Sequence, residues 1–214
     1  MIHNLKKDYY ECLAKNILEK YQFHQLGELV MIDKPDLQSS FGIGIEVTRA
    51  VFDGFNEKTS YFNKYLEQRN ICDVKLEEIK NFTKDGTRIL YCDDMIVGYV
   101  PPAIWYGIDE LKIAYEKKRQ KLCSYSNFGS IHLFIFSPSF NDYEESDIKK
   151  FVDWIIHSKD NQKNYDVVYI YQENSLFVCD ISKNNLMEIK LNKADTHECC
   201  VFAQKYAENK EVTL

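Results

Sequence analysis

The stretch Phe41 to Ala50, FGIGIEVTRA, constrains this chain more than any other segment. Ile43, Ile45 and Val47 alternate with Gly44, Glu46 and Thr48, which is the period of a β-strand with one apolar face. The second face carries a carboxylate and a hydroxyl. A solvated edge strand explains Glu46 poorly, because Ile45 and Val47 flank it in an otherwise apolar run.

The segment upstream sharpens the point. Glu28 to Asp33, ELVMID, is a short apolar run bounded by polar residues and reads as a buried strand. Pro35 has no N–H to give to a ladder, so the strand ends or kinks there. Asp36 follows it, and Glu46 comes ten residues later on the next strand. A hairpin of these two strands brings both carboxylates within a few ångströms of each other. Two close carboxylates repel unless a cation sits between them. Oxygen ligands of this kind suit Mg²⁺ or Mn²⁺, which retain open positions for a phosphate and a water. An ion so placed supports phosphodiester hydrolysis.

The rest of the chain alternates helices and strands. Asp8 to Gln22 has Leu13, Ile17, Leu18 and Tyr21 at helical spacing. Residues 52 to 100 form an insertion with its own elements: helices over Glu57 to Gln68 and Leu76 to Asn81, then a hairpin over Arg88 to Tyr99 that turns near Asp93-Asp94. Pro101-Pro102 closes it and opens a long helix from Ala103 to Cys123. That helix places Ile104, Ile108, Leu111, Ala114, Tyr115 and Leu122 on one side and Lys112, Lys117, Lys118, Arg119 and Lys121 on the other. A strand over Ser130 to Ser137 and a helix over Asp142 to Ser158 follow. Strands over Asp166 to Tyr171, Ser175 to Asp180 and Leu186 to Leu191 precede a final helix over Thr196 to Asn209. This order indicates one α/β domain over residues 1–214, built around a mixed sheet flanked by helices.

Pro35-Asp36 followed by Glu46-Val47-Thr48 resembles the PD-(D/E)XK phosphodiesterase superfamily, and the resemblance implies a restriction-endonuclease-like fold. It covers the first fifty residues well and the next long helix and strand loosely. In that superfamily the Asp and the Glu bind the metal and the next residue offers its backbone carbonyl. Those roles fall on Asp36, Glu46 and Val47. An acidic residue of the first helix often completes such a site. Glu11 or Glu19 is placed to do so, Glu11 lying nearer the helix start. The motif's lysine is replaced by Thr48, which hydrogen-bonds a water but brings no charge. Lysines migrate in such proteins, so Lys118 or Lys121 is expected to supply the cation, with Lys34 or Arg49 as helpers. The implied activity is metal-dependent cleavage of DNA or RNA, with Mg²⁺ or Mn²⁺ as cofactor. The alternative is a nuclease-like domain that binds a protein or nucleic acid without cleaving it, for instance in a defence or phage-related system.

Composition bears on that choice. The net charge of -6 is unusual for a chain that grips phosphates over its whole surface, so a local basic patch, a metal or a partner must compensate. Lys112, Lys117 and Arg119 are the candidates for contacting nucleic acid. Tyr106, Tyr115 and Tyr125 offer rings for base stacking, although aromatics at helical spacing more often pack in a core. Nucleic acid is the expected partner, a homodimer or a protein partner stays open, and no membrane partner is expected. The 7 cysteines are scattered and odd in number, which suits a reduced, cytoplasmic protein. His197-Glu198-Cys199-Cys200 invites a zinc reading, but no second ligand pair stands at the required spacing. No Gly-rich phosphate loop, Ser-His-Asp order or dinucleotide fingerprint is present.

Overall fold

The computed structural model describes residues 7–51, 55–100, 107–125, 127–137, 143–158 and 163–211. These fall into two compact units, one made within residues 51–105 and the other by the chain on either side of it. The larger unit contains helix α1 (Lys7–Leu26) and strands β1 (Leu29–Met31), β2 (Leu37–Ser39) and β3 (Ile43–Arg49). The smaller unit follows in sequence, with α2 (Phe55–Tyr65), α3 (Leu76–Thr83), β4 (Arg88–Cys92) and β5 (Met95–Val100). The chain then returns to the larger unit through α4 (Asp109–Arg119), β6 (Ser130–Phe136), α5 (Glu145–His157), β7 (Val167–Gln172), β8 (Ser175–Asp180), β9 (Asn185–Lys190) and α6 (Lys193–Glu211).

The larger unit is an α/β fold around a seven-stranded mixed sheet in the order β1-β2-β3-β6-β7-β8-β9. β3, β6 and β7 are mutually parallel, and the other neighbours are antiparallel. Parallel neighbours need crossovers, and α4 and α5 serve the two steps β3 to β6 and β6 to β7. Both steps run the same way across the sheet, so the handedness of such connections puts both helices on one face. There Leu111, Ala114 and Tyr115 of α4 and Ile148, Phe151 and Ile155 of α5 pack on Ile131, Leu133, Ile135, Val168 and Ile170. The opposite face buries Ile45, Val47, Phe134, Phe136 and Tyr169 beneath α1 and α6. Coverage on both sides explains why Leu133 to Phe136 of β6 read as an unbroken apolar run rather than an alternating one.

The smaller unit has its own core of Phe62, Leu66, Val74, Phe82, Ile89, Ile96 and Tyr99. Its β4–β5 hairpin turns at Asp93 and Asp94, both in left-handed backbone (φ 48° and 63°), a conformation that Asp tolerates better than most residues.

Three features depart from the sequence reading. α1 runs on to Leu26 and is stopped by Gly27 (φ +67°), whose N–H bonds the Phe23 carbonyl at 2.7 Å in a helix-ending turn. The first strand stops at Met31, and a further three-residue strand, β2, follows Pro35. The described part of the long helix spans only Asp109–Arg119, with a 3₁₀ turn over Leu122–Ser124 after it. The expected start of that helix, 103–106, lies outside the described residues, as does Tyr106.

Candidate functional site

Register explains why Asp36 and Glu46 meet. β2 pairs antiparallel with β3, Leu37 opposite Ile45 and Gln38 opposite Gly44. One step beyond Leu37 and Ile45 sets Asp36 opposite Glu46, and residues directly opposite in an antiparallel pair share a face. Ile45 and Val47 point at α1 and α6, so Glu46 points the other way, toward α4. The approach of the two strands is close. A Cβ on Gly44 would come within 2.6 Å of the Pro35 ring, so only glycine admits the proline there.

Beyond Leu37, β2 gives β3 no further ladder partner, and the Asp36 side chain takes over. Its Oδ2 accepts the Val47 N–H at 2.8 Å. Ala50, on the other parity, bonds the Phe136 carbonyl of β6 through its N–H at 2.8 Å. The amide and carbonyl of one strand residue point to the same side, so the Val47 carbonyl faces the Asp36 edge.

Lys118 of α4 closes the site. Its Nζ lies 2.5 Å from Glu46 Oε2 and 3.2 Å from Asp36 Oδ2, so one ammonium bridges both carboxylates. All three side chains are largely withdrawn from water, at 12% exposure for Lys118, 6% for Asp36 and 2% for Glu46. The Tyr125 hydroxyl donates to the remaining oxygen of Glu46, Oε1. Tyr125 is buried, and its hydroxyl pKa is pushed up by that burial and then by the charge of the Glu46 it bonds. It therefore stays a donor at any ordinary pH.

The other expected residues fall as follows. Thr48 shares the Glu46 face of β3 and is half-buried, outside the hydrogen bonds that join Asp36, Glu46, Lys118 and Tyr125. Lys121 is exposed beyond the end of α4, and Lys34 is exposed before Pro35. Arg49 points to the opposite face, its guanidinium 4.6 Å from the Tyr10 ring centroid and bonded to the Tyr10 hydroxyl at 3.2 Å. Glu19 is engaged elsewhere, accepting the Leu29 N–H at 2.9 Å and pairing with Lys15. Glu11 is buried on α1, the helix covering the face away from Glu46. Among the described residues no three His, Cys, Asp or Glu side chains gather as a metal cluster, so Glu11 does not stand as a third ligand beside Asp36 and Glu46.

The basic face of α4 is narrower than its sequence suggests. Lys117 is exposed, and Lys112 is held by Asp109 at 2.9 Å, with Trp154 beneath it. Arg119 is buried, paired with Glu116 at 3.2 Å and bonded to Ser158 and Asn164. It sits four residues after Tyr115 and so turns inward with it, away from any bound nucleic acid. Tyr115 is likewise a core residue, in the cluster beneath α4 and α5.

Tyr125 as a partner of Glu46 was not legible as such, because its ring invites a stacking or core reading. No helical period reports it, because α4 ends at Arg119 and Tyr125 follows the 3₁₀ turn beyond it. The residues present fit a small divalent ion. Mg²⁺ commonly needs one or two carboxylates and keeps its waters, and the site offers two carboxylates and a backbone carbonyl beside a position already held by a cationic group. All seven cysteines are free thiols, with Cys199 buried against the α1 face. No described helix is long and apolar enough to cross a membrane.

Comparisons with protein-family models, with curated proteins and with solved structures gave no match, so no relative lends a fold name or a residue role to this chain.

Proposed function

We propose that the larger unit is a restriction-endonuclease-like domain of the PD-(D/E)XK type and that the protein is a metal-dependent nuclease acting on DNA or RNA. The observation that carries this reading is the bridge from Lys118 Nζ to both Asp36 and Glu46. It gives the carboxylate pair an ammonium in a chain that carries Thr48 at the motif's lysine position. The element order supports it too: a helix, a run of antiparallel strands, then a crossover helix leading to a parallel central strand.

In this reading Asp36, Glu46 and the Val47 carbonyl would hold one Mg²⁺ or Mn²⁺. The bound ion supplies positive charge to a phosphoryl oxygen and acidifies a water beside it. Lys118, held beside both carboxylates, would orient the attacking water and offset the charge that develops on the phosphoryl group. The apolar packing around Tyr125 limits access of bulk water from the α4 side. Lys117 and Lys112 are the remaining α4 candidates for contacting the phosphate backbone.

The test is Mg²⁺- or Mn²⁺-dependent cleavage of DNA and RNA by wild type, Asp36→Ala and Glu46→Ala. Loss of a metal ligand removes several kcal/mol of transition-state stabilisation, so each variant should fall by about a thousandfold. Undiminished cleavage in both would sink the assignment. A second reading, a nuclease-like domain that binds without cleaving, draws on the engagement of both Glu46 oxygens by protein donors. Calorimetric titration with MgCl₂ separates the two, since the binding module takes up no ion through Glu46.

A further inference from the structure

The two oxygens of Glu46 are treated differently by their surroundings. Oε2 faces the Lys118 ammonium at 2.5 Å, on the side shared with Asp36, and is the oxygen a cation would meet. Oε1 faces the hydroxyl of Tyr125, a residue fixed in the core beneath α4 at the end of the 3₁₀ turn. A neutral phenol adds no charge to compete with a metal and has no reason to leave when one binds. We propose that Tyr125 is a positioning residue that restricts Glu46 to a single metal-binding oxygen, Oε2, and thereby biases the site toward Mg²⁺ over Ca²⁺. This rests on the metal-site reading given above.

The reasoning is one of coordination number. Mg²⁺ demands a compact octahedron and is satisfied by one oxygen from each carboxylate, with waters completing the set. Ca²⁺ takes six to eight oxygens and gains from carboxylates that bind through both. A Glu46 whose Oε1 is committed to Tyr125 serves the first ion fully and the second poorly. Removing the hydroxyl releases Oε1, loosens the carboxylate and allows it to swing into a two-oxygen grip.

The experiment is calorimetric titration of the full-length chain with MgCl₂ and with CaCl₂, for wild type and Tyr125→Phe. Loss of a partner that orients a ligand changes metal affinity by about 10- to 100-fold, so the Mg²⁺-to-Ca²⁺ affinity ratio should fall at least tenfold in the variant. A second measurement needs no substitution in the core. Infrared difference spectra of the wild type, with Glu46→Gln to identify the band, should show a one-oxygen carboxylate signature on adding Mg²⁺. If the wild type binds neither ion through Glu46, the metal site itself is refuted. If it binds Mg²⁺ but Tyr125→Phe keeps the same ratio, or the spectrum shows a two-oxygen grip, the role of Tyr125 is refuted and the metal site stands.

Discussion

Two buried polar clusters lie on opposite faces of the sheet, one on β3 and the other on β6 and β7. Beneath α4, Glu46 and Asp36 share one ammonium and receive a phenol O–H and a backbone N–H. Beneath α1 and α6, His132 of β6 bonds the Tyr169 hydroxyl at 3.2 Å and Ser130 Oγ at 3.0 Å, and Ser130 donates to Asp166 at 2.7 Å. The second cluster links uncharged groups to one half-exposed carboxylate, Asp166, and each imidazole nitrogen has a hydroxyl partner. The first holds two negative charges against one positive. A network whose imidazole is bonded at both nitrogens is a structural device, whereas two buried carboxylates that share one ammonium depend on that ammonium. Ser130, His132 and Asp166 are thus no catalytic triad, since Asp166 bonds the serine and not the imidazole.

The largest expected effect comes from breaking the charged cluster. Lys118→Met keeps most of the aliphatic stem but leaves two buried carboxylates without a cation. Removing one partner of a buried ion pair costs about 3–5 kcal/mol, so the variant should unfold at much lower urea in the presence of a chelator. Millimolar Mg²⁺ should restore more stability to Lys118→Met than it adds to wild type, because the ion takes the place of the ammonium. Equal midpoints with the chelator would show that the pair is not buried in solution.

The His132 cluster breaks through pH. Burial lowers the pKa of His132 from 6.5 to about 4, with Asp166 and Asp180 opposing the shift. The unfolded chain takes up the proton as pH falls below 6.5 while the native imidazole stays neutral, so stability is full above that value. It declines as pH falls and levels off below about 4, for a total of about 3 kcal/mol. Urea unfolding of wild type and His132→Gln from pH 7 to pH 4 isolates this contribution, because glutamine takes up no proton. Parallel curves would mean that His132 is hydrated.

How much of this was legible in the sequence depends on whether a residue's position follows from its own segment. The carboxylate pair was legible, since alternation fixes the face of Glu46 and Pro35 fixes where the preceding strand must give way. The α/β class followed from runs such as SLFVCD, whose limits match β8. Lys118 was harder. Residue type puts a lysine on the polar side of α4, yet Leu111, Tyr115, Lys118 and Leu122 recur at four- and three-residue steps, so Lys118 lies in the apolar stripe. Only the carboxylates of another segment make that position tolerable, and no local pattern reports them. β2 was not legible for a related reason. Leu37–Ser39 is too short to show alternation and exists because β1 and β3 pair with it from either side.

The smallest expected effect sharpens the contrast within one face of the sheet. Tyr115 of α4 and Tyr165 are both fully buried in the core that α4 and α5 form with the sheet, their rings 5.7 Å apart. The Tyr115 hydroxyl donates to Asn164 at 3.2 Å, whereas that of Tyr165 has no hydrogen-bond partner among the described residues. Burial raises the Tyr165 pKa, and the negative charges of Glu46 and Asp36 raise it further, so this phenol lies in the field of the charged cluster without a bond to it. A buried hydroxyl without a partner costs stability, and replacing it by an apolar group of the same shape is neutral to favourable. Tyr165→Phe should therefore leave the urea midpoint unchanged or raise stability by about 1 kcal/mol, while Tyr115→Phe lowers it by about the same amount. A loss in Tyr165→Phe as large as that in Tyr115→Phe would mean that the Tyr165 hydroxyl is bonded in solution, and would move it into the polar cluster around Glu46.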